Sequence, residues 1–134
     1  MDNCLVIHRG TTEMYRIPFS RIIYVEPVKD ENWCRLYLAG SDDPQYNPWE
    51  IPLCMGEVWN YMEHQTDVMY RLGRKYLINS EYIRFIDTNP KTSKLVLSDG
   101  TKFYEVHPSR EFLIAIKEVF KKQAKHVVYS NEQQ

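Results

Sequence analysis

The chain reads as a mostly β domain with two short helices, and three observations predict it. Short runs of alternating apolar and polar residues, rich in β-branched and aromatic types, recur from end to end. Turn formers separate them, with Asp99-Gly100 as the clearest hairpin signal. Aromatics reach 13% with ten Tyr, a composition that suits strands.

Strands are expected at Cys4 to His8, Met14 to Ile17, Arg21 to Glu26 and Trp33 to Leu38. Residues 40 to 52 hold three prolines and the acidic pair Asp42-Asp43, so this stretch reads as a loop with room for one edge strand. From Leu53 to His64 the period changes. Met55, Val58, Trp59 and Met62 fall at i, i+3, i+4 and i+7, which predicts an amphipathic helix. Strand patterns return at Val68 to Leu72, Tyr76 to Asn79, Tyr82 to Asp87, Lys94 to Ser98 and Lys102 to Val106. Pro108-Ser109 opens a second helix, with the Ser109 hydroxyl as its expected cap and Glu111 in its first turn. Its apolar stripe is Phe112, Leu113, Ile116, Val119 and Phe120, while Lys117, Lys121, Lys122 and Lys125 face outward.

Length bounds the architecture: 134 residues suit one domain, assigned to 1–126, with a loose polar tail over 127–134. Hydrophobic residues at 43% and charged residues at 26% describe a soluble globular chain. The N-terminus lacks a signal-peptide pattern and no run of 18 apolar residues occurs, so a cytoplasmic protein is expected, without a membrane partner. Net charge is −1 but unevenly spread: Gly40 to Asp67 carries six acids and no Lys or Arg, whereas Val68 to His126 carries twelve cations against six acids. A nearly neutral chain of this kind can still present one basic face.

The candidate chemistry is narrow. The four His (His8, His64, His107, His126) show no ligand spacing, so no metal is expected. Cys4, Cys34 and Cys54 each sit among apolar residues and read as buried free thiols. Five dispersed glycines form no phosphate loop, and the adjacent acids Asp30-Glu31 and Asp42-Asp43 read as solvated charge. No enzyme, cofactor or small-molecule substrate is expected. What remains is Tyr70-Arg71-Leu72-Gly73-Arg74-Lys75-Tyr76, three cations without an acid at a strand–turn–strand junction, where guanidinium groups can reach phosphates or guanine edges.

That stretch resembles the signature of the LytTR family of bacterial DNA-binding domains: a helix, then an aromatic and Arg, a few polar or basic residues, and an aromatic–aliphatic–aliphatic–Asn run. Tyr70, Arg71, Arg74, Tyr76, Leu77, Ile78 and Asn79 match it. Ile22 to Glu26 looks like the family's first conserved strand, Asn32-Trp33 is similar to its Asn–aromatic pair, and Ile83 to Ile86, the Asp99-Gly100 hairpin and a closing helix with Leu113 and Ile116 follow in order. The likeness spans roughly residues 14 to 120. It implies about ten short strands in several small sheets with two short flanking helices, a fold that binds duplex DNA by loops entering successive major grooves. The contact regions implied here are the turn at Asn32 and Trp33, the turn from Arg71 to Lys75, and the junction from His107 to Arg110. Arg74 would read base edges, with Arg71 and Lys75 mainly on phosphates. At the junction either His107 or Arg110 could act, and Arg110 is preferred for its charge.

The sequence also departs from the family pattern. Gly73 stands for a common His, Lys75 for a Ser, the loop at Val28 to Glu31 is extended and acidic, and the Pro-rich loop is long. Most relatives are response-regulator output domains fused to a receiver or to membrane segments, and neither fits in 134 residues, so a stand-alone domain is expected. The leading expectation is a sequence-specific transcription regulator that binds double-stranded DNA, with a second copy on repeated sites. The alternative is a protein-interaction module on the same scaffold that docks on a partner regulator or sensor. A small hydrolase or ligand-binding domain, built around His64 or His107 with a nearby Cys, is third.

Overall fold

The structure is a computed structural model and describes residues 3–28, 32–40 and 48–130. Asp30, Glu31, Asp42, Asp43 and the last four residues, to which several expectations attach, lie outside the described residues.

Ten strands form three antiparallel sheets. β1 (Cys4–Arg9) and β2 (Glu13–Pro18) make a hairpin. β3 (Ile22–Pro27), β4 (Cys34–Leu38), β5 (Trp49–Ile51), β6 (Met69–Leu72) and β7 (Tyr76–Asn79) form a five-stranded sheet in the order β5-β4-β3-β7-β6. β8 (Ile83–Asp87), β9 (Lys94–Ser98) and β10 (Phe103–Val106) form a three-stranded sheet in the order β10-β9-β8. Helices α1 (Met55–Met62) and α2 (Arg110–Gln123) complete the chain. The edge strand allowed for in the Pro-rich loop is β5, at the sheet margin where its neighbouring prolines cost no ladder bonds.

The five-stranded sheet is a shared wall between two cores. Cys34, Leu36, Val25 and Leu77 face one side, where α1 supplies Met55, Val58 and Met62 and the β1–β2 hairpin supplies Leu5 and Ile17. Tyr24 and Ile78 face the other, against Leu95 and Leu97 of the small sheet and Leu113 and Ile116 of α2. In a regular strand successive side chains change sides. β3 breaks that rule through a register shift between Ile22 and Tyr24, so Ile23 and Tyr24 both join the second core while Ile22 and Val25 serve the first.

Two details differ from the expectations of sequence. Only Cys34 is a buried thiol, and burial pushes it up to about 12, whereas Cys4 and Cys54 are half-buried. Ser109 is the N-cap of α2, but its hydroxyl makes no capping bond; its carbonyl accepts from the Leu113 N–H at 3.1 Å. Two 3₁₀ turns, Phe19–Arg21 and Ser80–Tyr82, lead into β3 and β8 and carry no clear sequence period.

Candidate nucleic-acid interface

The registers of the five-stranded sheet bring its turns together at one end. Pro27, at the end of β3, pairs with Cys34 at the start of β4; Cys34 pairs with Ile51, the end of β5; and Val25 pairs with Leu77, one residue beyond the start of β7. The β3–β4 connection and the β6–β7 turn therefore emerge side by side, one strand spacing apart, about 5 Å. Lys75 shares a small concavity with Glu26 and Pro27, while Arg74 and Lys75 border another with His107, Pro108 and Ser109. The junction into α2 is thus drawn to the same end, and the Tyr76 hydroxyl accepts from the His107 N–H at 3.4 Å.

The β6–β7 turn has Gly73, Arg74 and Lys75 between the paired residues Leu72 and Tyr76. Gly73 has φ +66°, and a Cβ there would lie 2.9 Å from the Phe112 ring. Glycine at this position is therefore favoured by this chain's own packing: Phe112, the first apolar residue of α2, lies over it. Arg74 and Lys75 occupy the exposed apex. Arg71 lies one strand position back, exposed, and its Nε donates to the Gly73 carbonyl at 3.1 Å, so it braces the turn while keeping its remaining N–H groups.

The other implied residues are similarly placed. Asn32 and Trp33 are exposed in the β3–β4 connection, which is closed by a bond from the Val28 N–H to the Trp33 carbonyl at 3.0 Å. Trp33 borders a cleft with Arg9 and Gly10 at the tip of the β1–β2 hairpin. Arg110 is exposed and its Nε donates to the Thr88 carbonyl at 2.7 Å, which fastens the start of α2 to the β8–β9 loop. His107 Nε2 lies 3.1 Å from the Glu105 carboxylate, and its Nδ1 lies 3.4 Å from the Ser93 carbonyl.

Carboxylates at this end have other partners. Glu26 accepts from Arg35 at 3.3 Å and from the Tyr37 hydroxyl at 2.7 Å. Glu105 faces Lys94 at 3.6 Å as well as His107. Among the described residues, none of the ion pairs includes Arg71, Arg74, Lys75 or Arg110. These four cations therefore have no ion-pair partner among the described residues, and Glu26, which lines the concavity beside Lys75, is held by Arg35 and Tyr37.

The rest of the signature is structural. Tyr76 leans against Tyr24, which stacks on Tyr37 with ring centroids 4.2 Å apart; Tyr104 packs edge-on against both. Burial and the neighbouring Tyr37 hold the Tyr24 phenol well above its ordinary range. Asn79 is buried, and its Oδ1 accepts from the Glu81 N–H at 2.9 Å to cap the 3₁₀ turn. Sequence reasoning had no role for Asn79 beyond the motif, although Asn-Ser-Glu is a recognisable Asx-turn pattern. The Gly73–Phe112 approach left no local signal at all.

Among the described residues no group of three or more His, Cys, Asp and Glu could hold a metal ion, and no helix is long and apolar enough to cross a membrane. No family model and no curated protein matches the chain. Among solved structures it is similar to the LytTr DNA-binding domain of a Bacillus cereus protein described as a methyl-accepting/DNA response regulator. The two share 16% identity at a TM-score of 0.59, over 90% of this chain and 98% of that one. The chain therefore has the LytTr fold, with its ten strands in three small sheets and two helices.

Proposed function

We propose that this chain is a DNA-binding regulator, without catalytic activity, that grips duplex DNA with the turns gathered at one end of its central sheet. The observation that carries the reading is the exposed pair Arg74 and Lys75 at a turn that borders the junction leading to Arg110, none of the three in an ion pair among the described residues, on a fold shared with a DNA-binding domain. Arg74, at the apex, is assigned to base edges, where a guanidinium can bond guanine bidentately. Lys75 and Arg71 are assigned to phosphates, and Asn32 and Trp33 to the neighbouring groove. Arg110 is favoured over His107 at the junction, because the His107 ring is already beside Glu105. Nothing in this arrangement needs a cofactor, and two copies on repeated sites would place two such ends along one duplex. The reading puts the protein where the DNA is, in the cytoplasm.

The test is a salt series of binding to the DNA upstream of its own gene, against random duplex. With about five or six phosphate contacts, log K should fall against log salt with a slope near −5. Arg74→Ala should lower discrimination between the two duplexes by about 1–3 kcal/mol and leave random-duplex affinity nearly unchanged. A flat salt dependence, or equal losses on both duplexes, overturns the assignment.

A further inference from the structure

Away from the basic turns, the described surface has a second feature that duplex binding leaves unused. A shallow groove of about 380 Å³ runs between β8 and the C-terminal half of α2, floored by Phe85, Ile86 and Phe120 and walled by Val127 and Val128 beyond the helix. Phe85 is 50% exposed and Val128 88% exposed, so much apolar surface here faces water. Its rim is basic: Arg84, Lys117 and Lys121 line it, and no carboxylate does.

The bulge in β8 creates this combination. The register shift between Ile83 and Phe85 sets Arg84 and Phe85 both outward, so a cation and an aromatic ring stand adjacent where a regular strand would turn one of them inward. Lys94 from β9 lies 6.0 Å from the Phe85 ring centroid. Lys121 belongs to the last turn of α2, where cations are favoured by the helix dipole, and it faces Glu118 at 3.6 Å. That accounts for Lys121 alone. Lys117 and Arg84 lie outside the last turn and answer to no described carboxylate.

We infer that this groove docks an acidic segment of a partner protein that presents apolar side chains on one face. Charge complementarity sets the sign, because three cations line the groove without an acid, and the aromatic and aliphatic floor sets the amphipathic character. The floor also argues against nucleic acid as occupant, since phosphates gain nothing from Phe85, Phe120 or Val127. Lys117 follows Arg110 by seven residues, two helical turns or about 10 Å along α2, so the groove is lined by other residues than those assigned to the duplex. The inference therefore stands or falls apart from DNA binding.

The test uses the full chain, isotope-labelled for NMR, and three helical peptides of about 15 residues: one with Glu on one face and Leu on the other, one with Lys replacing Glu, one with Ala replacing Leu. The Glu/Leu peptide should shift resonances of residues 83–86 and 117–128, with binding weakened about tenfold or more by Phe85→Ser and by the Lys117→Glu/Lys121→Glu pair. The thermal midpoint of Phe85→Ser should match the parent because the ring is half exposed, and that of the lysine pair should fall by only a few degrees through loss of the Glu118 contact and the dipole position of Lys121. Three results overturn the proposal: no shifts at ~1 mM Glu/Leu peptide, equal binding of the Lys or Ala peptide, or displacement of the peptide from these residues by random duplex or by phosphatidylglycerol vesicles. Loss of DNA binding in Arg74→Ala with peptide shifts intact would leave it standing.

Discussion

Gly73→Ala tests how the basic turn is built. At φ +66° an alanine costs about 1 kcal/mol for the left-handed backbone alone. Its Cβ would also meet the Phe112 ring at 2.9 Å, so the ring must swing away. Phe112 is 37% exposed and rides on the first turn of α2, so it can move, at a further cost of about 1 kcal/mol from lost packing. Urea unfolding should therefore show Gly73→Ala destabilised by about 2 kcal/mol. In a Phe112→Ala background only the backbone cost remains, so the same substitution should cost about 1 kcal/mol. The coupling of about 1 kcal/mol is the steric conflict itself. If Gly73→Ala costs the same in both backgrounds, Phe112 does not set the turn, and the physical reason given for glycine at this position fails.

Two further expectations concern titratable groups. Cys34 has its thiol raised to about 12, chiefly by burial, so in the native protein at pH 8 it should alkylate about 10³-fold more slowly than a free cysteine. A raised folded value means that its contribution to stability is intact below the ordinary thiol range and is lost as pH climbs toward 12; labelling of Cys34 at the rate of Cys54, followed by mass spectrometry, would contradict its burial. Asp99 is held well below the usual carboxylate range, first by the Lys102 N–H and then by Thr101, while its other oxygen accepts from the Gly40 N–H at 3.2 Å. Asp99→Asn should cost about 1–2 kcal/mol at neutral pH. Because the folded value is depressed, the gap between parent and variant should close as pH falls below about 4, and a pH-independent gap would place the effect elsewhere.

Much of the fold was legible because local pattern and tertiary role agree in this chain. Leu95, Leu97 and Val106 alternate as a half-buried hairpin should, and Asp99-Gly100 turns it. Met55, Val58 and Met62 lie buried along α1 at helical spacing. The partition into three sheets was not legible, because pairing partners such as Val25 of β3 and Leu77 of β7 are far apart in the chain and nothing local names them. The bulges in β3 and β8 were equally hidden: a slipped backbone register in β3 decides which core a residue serves, and one in β8 turns both Arg84 and Phe85 to solvent. At the basic turn the resemblance singled out Arg74 and Lys75 together, but the bracing of Arg71 on the Gly73 carbonyl and of Arg110 on the Thr88 carbonyl depends on contacts that only three dimensions supply.

The way β3 divides its side chains has a consequence for how the molecule comes apart. Ile22, Ile23, Tyr24 and Val25 are all sealed from solvent, yet the outer two are anchored in one hydrophobic compartment and the inner two in the other. Opening either compartment strips water protection from this one segment, so the two halves should melt together, with the basic turns keeping their spacing until the whole chain lets go.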